Sequence, residues 1–153
     1  NSVYSVGVYE ELAAPAGFTI ETVGVTAQSE VTQAVDTLLS RGVDCISNLT
    51  DNTVVGVLPA ILEKTNEAGV PVYGSEVEQM RLGCVAGAGL DYVKLGIQTG
   101  QMAAKVLRGE ARCQDLPYEV IENYDLYLNP EALNAMGLAV PEDVAAVAVD
   151  VTK

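Results

Sequence analysis

Short apolar runs rich in Val alternate with longer stretches of helical spacing, and this alternation constrains the fold more than any other feature. FTIETVGV (18–25), VDCIS (43–47), PVYG (71–74) and CVAGAGL (84–90) read as strands. Between them lie helical patterns. SVYSVGVYEELAAPAG ends on Gly17 as a C-terminal cap, and Ser29 to Gly42 carries Val31, Val35, Leu38 and Leu39 on one side. NTVVGVLPAILEKTNEAG reads as one helix bent at Pro59, with a loop or short helix at SEVEQMRLG. DYVKLGIQTGQMAAKVLRG places Leu95, Met102, Val106 and Leu107 together and stops at Gly109. Residues 110–117 are a linker, YEVIENYDLYL gives one or two strands, Asn129 caps a short helix starting at Pro130, and the tail from Pro141 is ambiguous.

Strands separated by helices of this length require right-handed crossovers and a mainly parallel sheet. The expected fold class is therefore α/β, a doubly wound lobe formed by residues 1–153. Such folds open on a central strand, whereas this chain opens on a helix, so either a first strand is missing ahead of Asn1 or the sheet is smaller than its relatives. The absence of an initiating Met agrees with a processed or excised piece.

Composition narrows the function. The net charge of −13, from 21 Asp and Glu against 8 Lys and Arg, repels phosphate backbones and anionic lipid, so no nucleic acid is expected as a partner. No run approaches the ~20 apolar residues of a membrane span. There is no His, the commonest general base, and no phosphate loop, nucleophile elbow or Cys–His pair. Catalysis is disfavoured and no cofactor or metal is expected. Cys45 and Cys84 fall in apolar strands and read as buried free thiols, while Cys113 falls in a loop. Asn48-Leu49-Thr50 matches a glycosylation triplet that is common by chance, and Gly87-Ala88-Gly89 lacks the third glycine of a dinucleotide fingerprint and reads as close strand packing. Tyr4, Tyr9, Tyr124 and Tyr127 read as amphipathic cover, and Glu10-Glu11 as a solvated face.

Open parallel sheets bind ligands where strand ends hand over to helix N-termini. That rule selects Asn1-Ser2, Thr50-Asp51-Asn52-Thr53, Gly74-Ser75-Glu76 and Asp91-Tyr92, with Thr26 to Ser29 as a further junction. Capping alone accounts for Ser29, Ser75 and Asp91 taken singly. Four polar residues in a row at 50–53 exceed what a cap needs, so Asn52 or Thr53 is expected to cap while Asp51 stays free for a ligand. Free helix N–H groups suit a carboxylate and the acids suit an ammonium, which together describe a pocket for a zwitterion.

The stretch TDNTVVGVLPAILEKTNEAGVPVYGSE, with Asn1-Ser2 before it, DYVKLGIQTGQMAAKVL at 91–107 and NPEALNAMGLAVPEDV after it, resembles the substrate-binding proteins of ABC transporters. The group it resembles binds tryptophan and related amino acids, and the similarity runs along nearly the whole chain. The resemblance implies two α/β lobes joined by a hinge with the ligand between them, this chain being the second lobe without its N-terminal partner lobe. It implies ABC permease subunits as partners and an extracytoplasmic location, periplasmic or as a cell-surface lipoprotein. It places Asn1 and Ser2 towards the ligand carboxylate and Asp51 with its neighbours towards the amino group. Pro15, Cys45 and Cys84 depart from an exported protein of this kind, and only Tyr73 and Tyr92 offer aromatic faces near the cleft. A ligand-sensing domain of the same fold is the alternative role, and a flavodoxin-like enzyme is disfavoured for want of any cofactor site.

Overall fold

The computed structural model describes residues 2–121 and 124–153. Helix α1 (Ser2–Ala13) is followed by α2 (Gln28–Ser40), β1 (Ile46–Ser47), α3 (Asn52–Val55) and α4 (Leu58–Ala68). Next come β2 (Val72–Tyr73), α5 (Val77–Leu82), β3 (Ala86–Gly89) and α6 (Tyr92–Leu107). A 3-10 turn at Cys113–Asp115 precedes β4 (Asp125–Leu128), α7 (Pro130–Ala135), α8 (Glu142–Val147) and β5 (Val149–Asp150). No helix of the described residues is long and apolar enough to cross a membrane.

The α/β class is as expected, and most pairings are parallel. β1 runs parallel to β2 with Ile46 opposite Val72, a parallel bridge from Gly74 to Gly87 joins β2 to β3, and β5 runs parallel to β4. The exception is β3 with β4, an antiparallel ladder from Ala86 opposite Leu128 to Gly89 opposite Asp125. Glycine makes the β2–β3 approach possible. A Cβ on Gly87 would strike the Gly74 carbonyl and lie 2.9 Å from Met80 Sδ, and one on Gly74 would lie 2.7 Å from the same sulfur. Gly87-Ala88-Gly89 is thus a packing motif.

The core lies between the α2–α4 pair and the sheet. Val31 and Val35 of α2 meet Leu58, Ile61 and Leu62 of α4, together with Val72, Met80, Cys84 and Tyr127. Each such fully buried aliphatic side chain stabilises the fold by roughly 1.5–3 kcal/mol.

Several local expectations change. Residues 18–25 form no ladder among the described residues, because no strand lies beside them to complete one; Arg41 fastens them by ion-pairing Glu21 at 2.9 Å. Of YEVIENYDLYL only Asp125–Leu128 is a strand, and residues 122–123 lie outside the described ones. The helix expected across 52–69 is broken at Gly56-Val57. Proline lacks an N–H and its ring clashes with the carbonyl four residues back, so α4 starts afresh with Pro59 in its first turn. Leu107 is 87% exposed, and no residue of α6 is fully buried, although Leu95, Met102 and Val106 do share its half-buried side. Tyr4 is 79% exposed on α1, whose one buried residue is Ala13; Tyr124 is likewise exposed, whereas Tyr127 belongs to the core. Cys45 is exposed, lying just ahead of β1, which pairs only with β2 among the described residues, whereas Cys84 is buried as expected. Burial pushes the Cys84 thiol up to about 12.

Two helix ends behave as read. At Gly17, with φ of 80°, Phe18 N–H bonds to Ala13 O at 2.9 Å and Gly17 N–H to Ala14 O at 3.2 Å, a Schellman closure. Asn129 Oδ1 accepts the Ala132 N–H at 3.0 Å and caps α7 ahead of Pro130.

Candidate functional site

Because β1, β2 and β3 are neighbours in register, their carboxyl ends deliver three loops to one rim of the sheet, at 48–51, 74–76 and 90–91. The loops are in contact. A Cβ on Gly89 would come within 3.0 Å of Glu76 Cα, and the Ser2 hydroxyl at the start of α1 reaches Asp51 Oδ2 at 3.5 Å, the limit of a hydrogen bond. The structure thus brings Ser2, Asp51, Gly74, Ser75, Glu76 and Asp91 to the same rim, with Thr50, Asn52 and Tyr92 exposed beside it and Thr53 half-buried. Asn1 lies outside the described residues.

Each of the rim acids turns out to cap the helix it precedes. Asp51 Oδ1 accepts the Thr53 N–H at 2.8 Å, Glu76 Oε2 accepts that of Glu78 at 3.3 Å, and Asp91 Oδ1 accepts those of Val93 at 2.9 Å and Lys94 at 3.0 Å. The expectation that Asn52 or Thr53 would cap and leave Asp51 free is corrected. Asp51 holds the N-cap position in extended backbone, from which its short side chain reaches the second N–H of α3, whereas Asn52 and Thr53 are already helical. The same bonds occupy helix N–H groups that were expected to be free for a ligand carboxylate. At α2 the cap position is Ala27 and not Ser29, with Glu30 Oε2 reaching back to the Thr26 and Ala27 N–H groups at 2.7 and 3.3 Å.

What is left over decides the chemistry. The Thr53 N–H, then its hydroxyl, holds the Asp51 carboxyl below the ordinary carboxylate range, so it is ionised at neutral pH. Among the described residues, the side-chain hydrogen bond to its Oδ2 is the long one from Ser2. Asp91 differs: Lys94 Nζ lies 3.3 Å from Asp91 Oδ2 and 3.3 Å from Asp125 Oδ2, so its charge is already answered. The Lys94 N–H holds the Asp91 carboxyl low, with the Lys94 ammonium adding to it, and Asp125 followed by Asp91 raises the Lys94 pKa in turn. Glu76 has no cation partner among the described residues. The rim therefore presents two acids, Asp51 and Glu76, that lack a cation partner among the described residues and can take an ammonium, and hydroxyls on Ser2, Thr50 and Ser75 able to donate to a carboxylate. Tyr73 and Tyr92 are 36% and 53% exposed, each with a ring free on the surface. Among the described residues, no group of acids and cysteines is placed to hold a metal.

Sequence reasoning missed the residues beneath the rim. Gln79 of α5 and Asn48 after β1 are buried, at 0% and 3% exposure, and joined by an Asn48 Nδ2 to Gln79 Oε1 bond of 3.1 Å. No local signal marks them, since VEQMRL mixes three apolar residues with Glu, Gln and Arg and nothing in it singles out the glutamine.

The chain belongs to the family described as ABC transporter substrate binding protein, whose model matches residues 1–152. It is 29% identical over 138 residues to a tyrosine-binding protein of Clostridioides difficile strain R20291, covering 90% of this chain and 39% of that protein. Two solved structures superpose with a TM-score of 0.87 over 98% of this chain. One is a conserved domain protein of Vibrio cholerae at 28% identity, the other an ABC domain of Streptococcus pneumonia in complex with L-Trp at 29%. The ligand-free, open structure of a Clostridium difficile substrate binding protein with adhesive properties matches with a TM-score of 0.72 at 31% identity. The chain spans half the length of each of these solved relatives. That family is one of substrate-binding proteins and not of enzymes.

Proposed function

We propose that residues 1–153 form one lobe of a two-lobe extracytoplasmic binding protein that captures an aromatic amino acid and delivers it to an ABC permease. The rim at the ends of β1, β2 and β3 is then the ligand-facing wall of the cleft. The observation that carries the reading is the Asp51 carboxylate, ionised, with one oxygen fixed by its own helix and the other turned to the rim beside a hydroxyl. A carboxylate held in this way is a rigid acceptor for an ammonium, and the hydroxyls of Ser2, Thr50 and Ser75 suit the other end of a zwitterion. Tyr73 and Tyr92 supply faces for an aromatic side chain. The tyrosine and L-Trp of the similar proteins support the same ligand class.

The test is Asp51→Asn in the full-length polypeptide. Asn caps a helix as well as Asp does, so the substitution removes the charge and keeps the local fold. The dissociation constant for L-tyrosine and L-tryptophan, measured by calorimetry well below the variant's Tm, should rise at least tenfold, on the order of 1.4 kcal/mol of binding free energy. Undiminished affinity in the variant would refute the role of Asp51. Failure of the unsubstituted protein to bind any amino acid would refute the ligand class.

A further inference from the structure

We propose that Gln79 is a positioning residue that sets the rim by clamping together the loops after β1 and β2, an assignment that rests on the ligand-binding reading of that rim. All polar atoms of its side chain are engaged. Oε1 accepts from Asn48 Nδ2 at 3.1 Å and from the Ser75 N–H at 3.1 Å; Nε2 reaches Leu49 O at 3.4 Å and Ser75 Oγ at 3.4 Å. One amide thus bonds to the segment running into Asp51 and to the loop holding Ser75 and Glu76. The loops have few other ties: Asn48 N–H bonds to Tyr73 O at 2.8 Å just below them, and the Gly74 N–H bonds to Ala86 O at 2.9 Å. Above that level, among the described residues, the amide of Gln79 supplies the hydrogen-bonded cross-link between them.

The clamp is dry. Gln79 has no exposed surface, and among the described residues no buried side-chain polar atom lacks a partner. Its position is itself fixed from below, since the neighbouring Met80 lies at the Gly74–Gly87 bridge and its carbonyl accepts from Asn129 Nδ2 at 2.7 Å. Any rotation of the Gln79 amide would break bonds to both loops at once, so above the Asn48–Tyr73 backbone bond this side chain holds the Asp51 loop to the Ser75 loop. A two-ended ligand needs that spacing held, because orientation fixed before binding is not lost again on binding. The Ser75 hydroxyl, within reach of Gln79 Nε2, is also aimed in this way.

Gln79→Met keeps the length of the side chain and removes every bond. In the full-length protein it should raise the dissociation constant for L-tyrosine and L-tryptophan at least tenfold, measured by calorimetry well below the variant's Tm. Exchange of the Ser75 amide, followed by NMR, should accelerate at the same temperature. A merely structural role would lower Tm and leave the affinity of the folded protein alone, so a dissociation constant within twofold of the original overturns the assignment. Gln79→Glu, which keeps the Oε1 acceptor and loses the donated bonds, carries the same test if Gln79→Met does not fold; a loss of threefold or more supports the clamp and a change under twofold overturns it. An unsubstituted protein that binds neither amino acid brings down the functional reading and this assignment with it. Binding by the original with an unmoved variant brings down the assignment alone.

Discussion

Replacing Gly87 by Ala should damage the rim and the core together, and the size of the effect follows from the geometry of one bridge. The new Cβ would strike the Gly74 carbonyl oxygen and stand 2.8 Å from its carbon and 2.9 Å from Met80 Sδ, where unstrained contacts fall at about 3.5–4.0 Å. Met80 is fully buried and cannot swing into solvent, so the Gly74 backbone must move. Overpacking of this kind costs about 1–3 kcal/mol. Moving Gly74 also strains its N–H bond to Ala86 O, worth roughly 0.5–1.5 kcal/mol. A central value of about 3 kcal/mol corresponds to a fall in Tm of roughly 6–12 °C for a chain of this size. Urea unfolding followed by far-UV circular dichroism measures it. Gly96→Ala and Gly100→Ala, in the interior of α6 with nothing within 4 Å of the added Cβ, are the controls and should stabilise by about 0.5–1 kcal/mol each. A Gly87→Ala protein within about 0.5 kcal/mol of the original would refute the claim that glycine is required by the β2–β3 approach.

Acid should weaken the fold through its caps. Asp51, Asp91 and Glu30 are all held below their ordinary values of 3.8, 3.8 and 4.5, first of all by the N–H groups of Thr53, Lys94 and Thr26. Their contribution is therefore complete above those ordinary values and is lost as pH falls through the lower folded ones. Tm should be level from neutrality to about pH 5 and drop below about pH 4, with a shallower drop in Asp91→Asn; an equal drop in that variant would show that Asp91 is not part of the linkage. The thiols should separate by burial: Cys113 and Cys45 are exposed and should be modified by a maleimide in the native state, while Cys84, fully buried with its pKa raised to about 12, should react only on unfolding. Cys45, whose pKa is raised by partial desolvation and then by Asp44, should be slower than Cys113, and native-state labelling of Cys84 would contradict the core described above.

The division between what the sequence shows and what it hides follows the range of the interaction. Gly17, Gly42, Gly69 and Asn129 act on atoms within a few residues of themselves, so the helix ends they make could be read directly. A strand is different, because it exists only by virtue of a neighbour. Residues 18–25 have the composition of a strand and no ladder, whereas Val149–Asp150, in a tail with no clear pattern, becomes one because β4 lies beside it. The site divides in the same way. Asp51 and Asp91 were legible as acids at strand–helix junctions, since a cap leaves a local mark, but local reasoning gave the cap at the first of them to the wrong residue. It could not see that Lys94 answers Asp91 and Asp125 together, while no cation pairs with Asp51 among the described residues. Gln79 was hidden altogether. Glutamine is unremarkable at any helix position, and its importance here comes from partners 30 and 31 residues away, at Leu49 and Asn48. On the proposed reading of the rim, the residues that would offer charge to a ligand could thus be found by position along the chain, while those proposed to fix the spacing between the charges could be found only in space. For a ligand with two charged ends, that spacing selects the ligand as much as the charges do, so the next substitutions to make in this rim lie beneath it, at Asn48 and Gln79.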